Sequence, residues 1–270
     1  MLDQIKEAYQ YLSQKVPFQP EIGIVLGTGL GKLAEEIDTQ YAINYQDIPH
    51  FPISTVESHS GKLIFGYLGG KKVVAMQGRF HFYEGYTMQQ VAFPIRVMKF
   101  LGIEKLFVSN ACGGLNNDMN KGDLFIIEDH INLSPTNPLV GKNIDELGPR
   151  FPDMSEPYSK EVITQAKEIC KTQNINYHCG VYVGLPGPML ETPAEYKYLS
   201  IIGADVVGMS TVPEIIAANH MSIPCFAASI ITDICTPEKL EKVKVEEIIA
   251  VAMKAEPNLT LLIKSLIEKN

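Results

Sequence analysis

The sequence lacks the features that mark several classes of protein. It has only five cysteines and no C-x-x-C pair, so neither a disulfide framework nor a structural zinc site is expected, and a reducing, cytoplasmic location fits best. No apolar run approaches the roughly 18 residues of a membrane-spanning helix. Nucleic-acid-binding proteins are usually basic, and this chain has a net charge of −8. We therefore expect neither a membrane nor a nucleic acid as a partner.

Compact catalytic motifs are also missing. The sequence contains no G-x-S-x-G nucleophile elbow and no H-E-x-x-H metal motif. Its six histidines are scattered and do not pair at the spacing of metal ligands. We predict that the protein needs no metal and no cofactor.

Short apolar runs alternate with segments of helical periodicity, which favours an α/β fold. Gly69-Gly70 between two strand-like runs predicts a hairpin. Pro257 predicts a kink or break in the last helix. The predicted strands are 22–26, 62–68, 72–77, 103–109, 124–128, 177–184, 204–208 and 224–232. The predicted helices include 32–37, 87–101, 159–173 and 245–267, with further helices starting at Thr192 and Thr211.

A glycine-rich turn at residues 27–31 follows the first predicted strand and precedes a helix. Backbone amides in such a turn suit an anion, but the turn is not a Walker loop and misses G-x-G-x-x-G by one residue. An anion site and a tight structural turn both remain open from the residues alone.

The segment 77–86 contains the most informative cluster of polar side chains. If it is extended, Arg79, His81 and Tyr83 fall on one side, because side chains alternate along a strand. Arginine and histidine on one face suit a phosphate. The alternative is a half-buried sheet edge with aromatic packing.

Other candidates are polar residues at the ends of predicted strands, where α/β sheets place ligands. Ser210 ends one such strand, while the next residue, Thr211, can simply cap the following helix. Glu191 either contacts a ligand or only favours the dipole of the helix after it. Asp233 follows an apolar run and therefore needs a partner or a ligand. His59 lies in a loop, where a lone histidine is usually incidental.

Taken together, the chain resembles the trimeric purine nucleoside phosphorylases, in the wider group that includes methylthioadenosine phosphorylase. The resemblance runs from about Ile22 to the last helix. It implies a single α/β domain over residues 1–270, with a mixed twisted β-sheet flanked by helices, and a homotrimer with active sites at subunit interfaces. It also implies that purine nucleosides are cleaved by phosphate in purine salvage. The motifs that carry it are GTGLG, SHSG, GRFHFYEGY, SNACGGL, PRFPDMS, GPMLETPAE, GADVVGMSTVPE and SIITD.

The resemblance also implies roles for individual residues. Phe151 would contact the sugar bound to a neighbouring subunit, and His59, Glu191 and Asp233 would be the catalytic groups. The phosphate would be bound by Thr28, His59, Arg79, His81, the Ala111 backbone and Ser210. The sugar would be bound by Tyr83, Met209 and Phe151, and the base by Glu191, Asp233, Leu190, Val207 and Thr232.

Three positions depart from the pattern of the 6-oxopurine enzymes. Asp233 replaces an asparagine, Leu190 replaces an aromatic residue, and Val245 stands about where a histidine approaches the 5′-hydroxyl. An ionised Asp233 only accepts hydrogen bonds and suits a 6-amino group, whereas an ionised Glu191 accepts from N1–H of a 6-oxopurine. One of the two carboxylates must hold a proton, or a water must intervene. We predict inosine and guanosine, with their 2′-deoxy forms, as substrates; a methylthioadenosine or adenosine phosphorylase is the alternative.

Two other classes of function remain to be distinguished. An NAD-dependent oxidoreductase would explain the glycine-rich turn, but its glycine spacing is wrong and residues 77–86 would have no role. A non-catalytic nucleoside- or phosphate-binding module would bind without turnover, and a phosphate-dependent inosine assay separates it from an enzyme.

Overall fold

The computed structural model describes residues 1–27, 31–53, 61–242 and 244–270. Within these ranges helices and strands alternate along most of the chain, as the sequence predicts. The helices are α1 Leu2–Lys15, α2 Lys32–Glu35, α3 Met88–Val91, α4 Phe93–Leu101, α5 Lys160–Thr172, α6 Pro193–Ile201, α7 Val212–His220 and α8 Val245–Lys269. The strands are β1 Ile22–Val25, β2 Asp38–Asn44, β3 Lys62–Leu68, β4 Lys71–Gln77, β5 Lys105–Gly114, β6 Leu124–Asn132, β7 Tyr177–Gly184, β8 Val206–Gly208 and β9 Cys225–Ile234.

The described strands form one mixed sheet in the order β2-β3-β4-β1-β5-β8-β7-β6-β9. Strand β1 runs parallel to β4 and β5, whereas β8 is antiparallel to β5. Strand β9 pairs with β6 and also with β5, so the second half of the sheet closes on itself. This arrangement confirms the predicted α/β fold with a mixed sheet flanked by helices.

Apolar periodicity explains how the helices cover the sheet. In α1 the residues Ile5, Ala8 and Leu12 are buried on one face, which packs against α4. All four residues of β1 are buried, because helices cover both of its faces. Helix α8 packs on β9 and buries Leu262 and Ile263 among others. No helix of the described ranges is long and apolar enough to cross a membrane.

The structure corrects one helix prediction and narrows another. Residues 87–101 form two helices rather than one, because α3 ends at Val91 and α4 begins just before Pro94, whose ring fixes a first-turn conformation. At Pro257 the sequence predicted a kink or a break, and helix α8 continues through this residue without a break. That proline and Met253, one turn earlier, are both exposed, so the carbonyl that loses its partner faces water.

The hairpin at Gly69-Gly70 and the helix start at Thr192 are confirmed, and capping boxes stand at Thr87 and Thr192. Strand β2 was missed, since most of its side chains are exposed and show no apolar alternation.

A β-bulge interrupts the pairing of β5 with β9 at its carboxyl end. Cys112 pairs with Ile231, but the next residue, Gly113, pairs with Asp233, which leaves Thr232 as the additional residue. A bulge turns the side chains that follow it. Asp233 is consequently half-buried after a run of buried residues.

Candidate active site

A cavity of about 230 Å³ lies where β5, β8 and β9 meet. Gly113 pairs with Val207 on one side and with Asp233 on the other, so three chain segments converge there. The cavity brings together most of the residues that the sequence singled out. These are Arg79, His81, Tyr83, Ala111, Leu190, Glu191, Val207, Met209, Ser210, Thr232 and Asp233.

Gly113 is at the floor of the cavity, where only glycine fits. A Cβ atom there would lie 2.7 Å from Cys235 Sγ and 3.4 Å from Asp233 Oδ2. Such contacts would push apart the side chains that line the cavity beside it. The requirement for glycine at position 113 is therefore steric.

Arg79 is almost completely buried and is held by the protein. Its guanidinium donates to Ser109 O and to Thr211 Oγ1, and Nη1 lies 3.5 Å from Glu214 Oε1. The two side chains are 1% and 3% exposed, so water screens their attraction little. The ion pair supports a positive charge inside the cavity wall, where an isolated cation would be costly.

The structure corrects the prediction that the Thr211 side chain caps α7. It stands before α7, but its side chain makes no capping hydrogen bond. Its φ of 72° is strained for a β-branched residue. Instead its hydroxyl accepts from Arg79 and, at 2.8 Å, from Asn110 Nδ2. The strained backbone thus places Thr211 as the shared partner of two buried polar groups.

His81 and Tyr83 lie on the same side of the chain, but not because the segment is extended. Residues Phe82–Glu84 form a single turn of 3₁₀ helix, so the extended geometry considered for this segment does not apply there. The His81 and Tyr83 rings stack with centroids 4.6 Å apart. His81 Nδ1 lies 3.0 Å from Glu84 Oε1, which orients the ring. Burial raises the pKa of Tyr83 to about 12, so its hydroxyl stays protonated.

Ser210 lies between the buried polar cluster and the open part of the cavity. Its backbone N–H donates to Tyr182 Oη at 3.3 Å, and its hydroxyl is 3.3 Å from Thr211 Oγ1. Tyr182 is buried, and burial raises the pKa of its hydroxyl. Ser210 is therefore positioned by its backbone, with its side chain beside the groups that surround Arg79.

The cavity lining also contains two carboxyl groups, those of Asp233 and Glu191. Asp233 accepts from Thr232 Oγ1 at 2.9 Å and from Cys235 Sγ at 2.9 Å. Glu191 is near the hydroxyl of Tyr196, and burial, assisted by the charges of Asp233 and Glu195, raises the pKa of Glu191. Leu190, next to Glu191, is 46% exposed. The two carboxyl groups can accept hydrogen bonds from a polar heterocycle and, when protonated, can donate to it.

A second cavity of about 280 Å³ adjoins the first, and both are lined by Thr232, Asp233 and Ile248. Its wall carries several charged side chains. Val245 is 64% exposed and lines neither cavity, whereas Ile248, one turn later in α8, lines both. The charged residues of the wall are Lys121, Lys239, Glu241, Lys242, Lys244 and Glu247.

One described residue among the predicted site residues, Phe151, does not line the cavity. It is 86% exposed, with the Arg150 guanidinium 5.7 Å from its ring centroid. Thr28 and His59, which were also predicted, lie outside the described residues. Gly27, which directly precedes Thr28, does line the cavity.

The structure adds three residues that the sequence analysis missed. Glu214, Tyr196 and Cys235 are buried, Glu214 pairs with Arg79, and Tyr196 and Cys235 line the cavity. A signal existed for Glu214, since it is a charged residue among apolar neighbours in α7. Tyr196 and Cys235 resemble core residues and gave no such signal. The described residues contain no cluster of three or more side chains suited to a metal.

Comparison with known proteins identifies the family. Residues 21–268 match the Phosphorylase superfamily. Purine nucleoside phosphorylase 1 of Bacillus subtilis is 47% identical over 267 residues, which cover 99% of this chain and 98% of that protein.

Solved structures agree with that match. A crystal structure of isoform 2 of purine nucleoside phosphorylase from Schistosoma mansoni, in complex with cytosine and ribose-1-phosphate, superposes with a TM-score of 0.94 at 42% identity and covers 99% of this chain and 96% of that one. A Schistosoma mansoni purine nucleoside phosphorylase in complex with adenosine gives 0.93 at 43% identity, with 99% and 97% covered. The chain therefore belongs to the purine nucleoside phosphorylases of the Phosphorylase superfamily and is a pentosyltransferase.

Proposed function

We propose that this chain cleaves purine nucleosides with inorganic phosphate, and that inosine, guanosine and their 2′-deoxy forms are its preferred substrates. One observation carries the proposal: a single cavity is lined both by a buried arginine and by two carboxyl groups. The arginine suits an oxyanion, and the carboxyl groups suit the polar edge of a purine. The ribose-1-phosphate and adenosine named for the Schistosoma mansoni structures belong to the same classes of ligand.

The phosphate would lie at the Arg79 end, with Ser210, His81 and the Ala111 backbone beside it. The guanidinium supplies a positive charge in a place where water screens it little. Thr28 and His59 are proposed to complete this site. The structural contacts of Arg79 hold its head in place before phosphate arrives, which favours an organised site.

The reaction replaces one bond at C1′ by another. The bond from C1′ to N9 of the purine breaks, and a phosphate oxygen forms a new bond to C1′, which yields ribose 1-phosphate. The sugar gains positive character as the base leaves, and the bound phosphate beneath it stabilises that charge. Tyr83 and Met209 also line the cavity, and the sugar is proposed to lie against them. The departing base becomes negative and needs a proton at N7, for which Asp233 is the proposed donor.

Base preference follows from the two carboxyl groups. An ionised Glu191 accepts from N1–H of hypoxanthine or guanine, while a protonated Asp233 donates to N7 or O6. Leu190, Val207 and Thr232 would surround the ring. Inosine should therefore be cleaved faster than adenosine or methylthioadenosine.

A substrate panel tests the activity and the preference together. Inosine, guanosine, adenosine and methylthioadenosine are each incubated with and without phosphate, and release of the base is followed. We expect rapid release from inosine and guanosine only with phosphate. Release that is independent of phosphate would contradict the activity, and an adenosine kcat/KM equal to that of inosine would contradict the preference.

We also propose that the chain acts as a cytoplasmic homotrimer in which Phe151 contacts the sugar in a neighbouring subunit. The support is the 86% exposure of this large apolar side chain and the five unpaired cysteines. Phe151→Ala should raise the KM for inosine without changing the stability of the fold. Molecular mass in solution, measured for both proteins, separates a sugar contact from an effect on assembly; an unchanged KM would remove Phe151 from the site.

A further inference from the structure

A further cavity of about 180 Å³, which we call the distal cavity, is lined by residues of α4, the end of α7 and the segment 138–147. Among the described residues it shares no lining residue with the active-site cavity. Two buried polar side chains line it: Arg96 lies in α4, and His220 is the last residue of α7. The two helices pack against each other, so both side chains come from the body of the fold.

Both side chains also hold the segment that covers the distal cavity. Arg96 Nη2 donates to Pro138 O at 2.9 Å. His220 Nε2 lies 3.0 Å from Pro149 O and must be the donor, since a carbonyl oxygen only accepts. A Cβ atom at Gly148 would collide with His220 O, so the segment lies directly on the end of α7. Defined contacts at both ends of the segment therefore shape this cavity.

Each of the two side chains keeps one buried nitrogen without a partner. Arg96 is 4% exposed and His220 is 3% exposed, yet Arg96 Nε and His220 Nδ1 make no hydrogen bond within the described residues. A buried polar atom without a partner is costly. The two atoms need opposite partners: Nε carries a hydrogen and needs an acceptor, whereas Nδ1 of the neutral ring has a lone pair and needs a donor.

The distal cavity is basic, although the whole chain has a net charge of −8. Its lining includes Arg96, Lys142 and His220, and no aspartate or glutamate among the described residues. The two acids of the covering segment, Asp145 and Glu146, are exposed to water. Arginine stays charged in proteins, so no acid of the cavity wall balances the buried guanidinium. Burial and the charge of Arg96 lower the pKa of His220, so its ring is neutral near pH 7.

We propose that the distal cavity is a phosphate-binding site separate from the catalytic one, in which hydrogenphosphate accepts a hydrogen bond from Arg96 and donates one to His220. The ligand must be an anion, because the buried cation has no acid beside it in the wall. It must also both accept and donate, because Nε and Nδ1 need opposite partners. Hydrogenphosphate meets both requirements. Sulfate and ionised carboxylates have no hydrogen to donate, and water has no charge.

A free ion can reach the distal cavity from solvent. Val140 is 55% exposed and Lys142 is also exposed, so part of the lining meets water. The Lys142 ammonium attracts an anion to this opening. A phosphate bound inside would connect α4, α7 and the covering segment. This site goes beyond the proposed phosphorolysis and does not require it.

Equilibrium dialysis of the full chain with radiolabelled orthophosphate counts the bound ions. Arg96→Met removes the charge and keeps a long side chain. We expect this variant to bind one phosphate fewer per chain than the unmodified protein, and to keep its KM for phosphate in inosine cleavage. Lys99→Met removes an exposed charge from the same helix and should leave the count unchanged.

The unmodified chain provides a second test that needs no substitution. Excess ribose 1-phosphate, added without a base, occupies the proposed catalytic site and leaves the distal cavity as the site that is counted. Labelled phosphate should still bind under these conditions. Sulfate should displace it about tenfold less effectively than unlabelled phosphate does, because sulfate leaves His220 Nδ1 without a donor.

The outcomes separate this site from the catalytic one. Retention of label with ribose 1-phosphate, its loss in Arg96→Met and weak competition by sulfate support the proposal. Complete displacement by ribose 1-phosphate, equal counts in Arg96→Met and the unmodified chain, or equal competition by sulfate overturn it. An acidic side chain from a second copy in the cavity would exclude phosphate and would appear as equal counts. If phosphorolysis itself fails, no base is released, but the phosphate that depends on Arg96 still binds.

Discussion

Two groups of residues in the cavity achieve their polarity in different ways. In the proposed phosphate site, Arg79 is enclosed and is paired with Glu214 and Thr211. In the proposed base site, Glu191 and Asp233 are half-buried, and Asp233 accepts from the Thr232 hydroxyl and the Cys235 thiol. A fixed charge suits a co-substrate that is the same in every reaction, whereas carboxyl groups that can gain or lose a proton suit bases that differ in their hydrogen-bonding edge. The comparison predicts that substitutions in the first group damage the fold as well as activity, and that those in the second group mainly alter selectivity.

The largest effect is expected from Arg79→Ala. It would leave Glu214 buried without its cation, which costs about 3–5 kcal/mol of unfolding free energy. Denaturant unfolding measures the loss. Adding Glu214→Gln should recover part of the stability, because the uncompensated charge is gone, but should not recover phosphate-dependent activity. Equal recovery of both would mean that Arg79 has only a structural role.

Glu191→Ala should reduce the rate of inosine cleavage much more than it reduces the stability of the fold. The inosine kcat/KM is expected to fall about 100-fold, since a hydrogen bond to a charged group is lost in a water-poor pocket. Glu191 is only half-buried, so the unfolding free energy should change little. Steady-state kinetics and thermal unfolding of the same preparation make the distinction. Unchanged inosine kinetics would remove Glu191 from the base site.

Thr211→Val tests the polar cluster without a change of shape. It removes the acceptor for Asn110 and Arg79, which should cost about 1–3 kcal/mol of stability. The KM for phosphate should also rise, because Arg79 loses a contact that orients it. Thr211→Ser keeps the hydroxyl and serves as the control. A stable Thr211→Val with an unchanged phosphate KM would contradict the proposed link.

The smallest effect concerns pH. Burial raises the pKa of Glu191, so this group becomes neutral at a higher pH than an ordinary carboxyl group. The inosine reaction needs ionised Glu191, and its kcat/KM should therefore fall as the pH is lowered through that pKa. Adenosine needs neutral Glu191 and should lose less over the same range. Parallel pH profiles for the two nucleosides would contradict this assignment.

Much of the fold could be predicted because apolar periodicity and capping signals are local. The strand at Tyr177–Gly184 and the start of α6 at Thr192 were predicted from such patterns. Strand β2 could not be, since it lies at the sheet edge with mostly exposed side chains. The sequence also left open whether the last helix breaks at Pro257, because it does not reveal that this proline faces solvent, where the helix can continue.

In the site, too, features with a local sequence signal could be predicted and features that depend on tertiary contacts could not. Arg79, His81 and Asp233 were identified from their types and from their positions at strand ends, and the structure places all three at one cavity. The strained Thr211 was interpreted as a helix cap, because a threonine before Val-Pro-Glu has that local appearance. Tyr196 and Cys235 could not be identified, because they reach the cavity only through the packing of α6 against the end of β9, and local sequence patterns do not reveal such packing.

The bulge at Thr232 has a consequence for how selectivity can change in this fold. Gly113 meets Asp233 only because one residue of β9 is left without a partner. Deletion of Thr232 would remove the bulge and with it the hydroxyl that donates to Asp233 at 2.9 Å. The orientation of this carboxyl group is thus tied to the length of a strand as much as to the residue at its end.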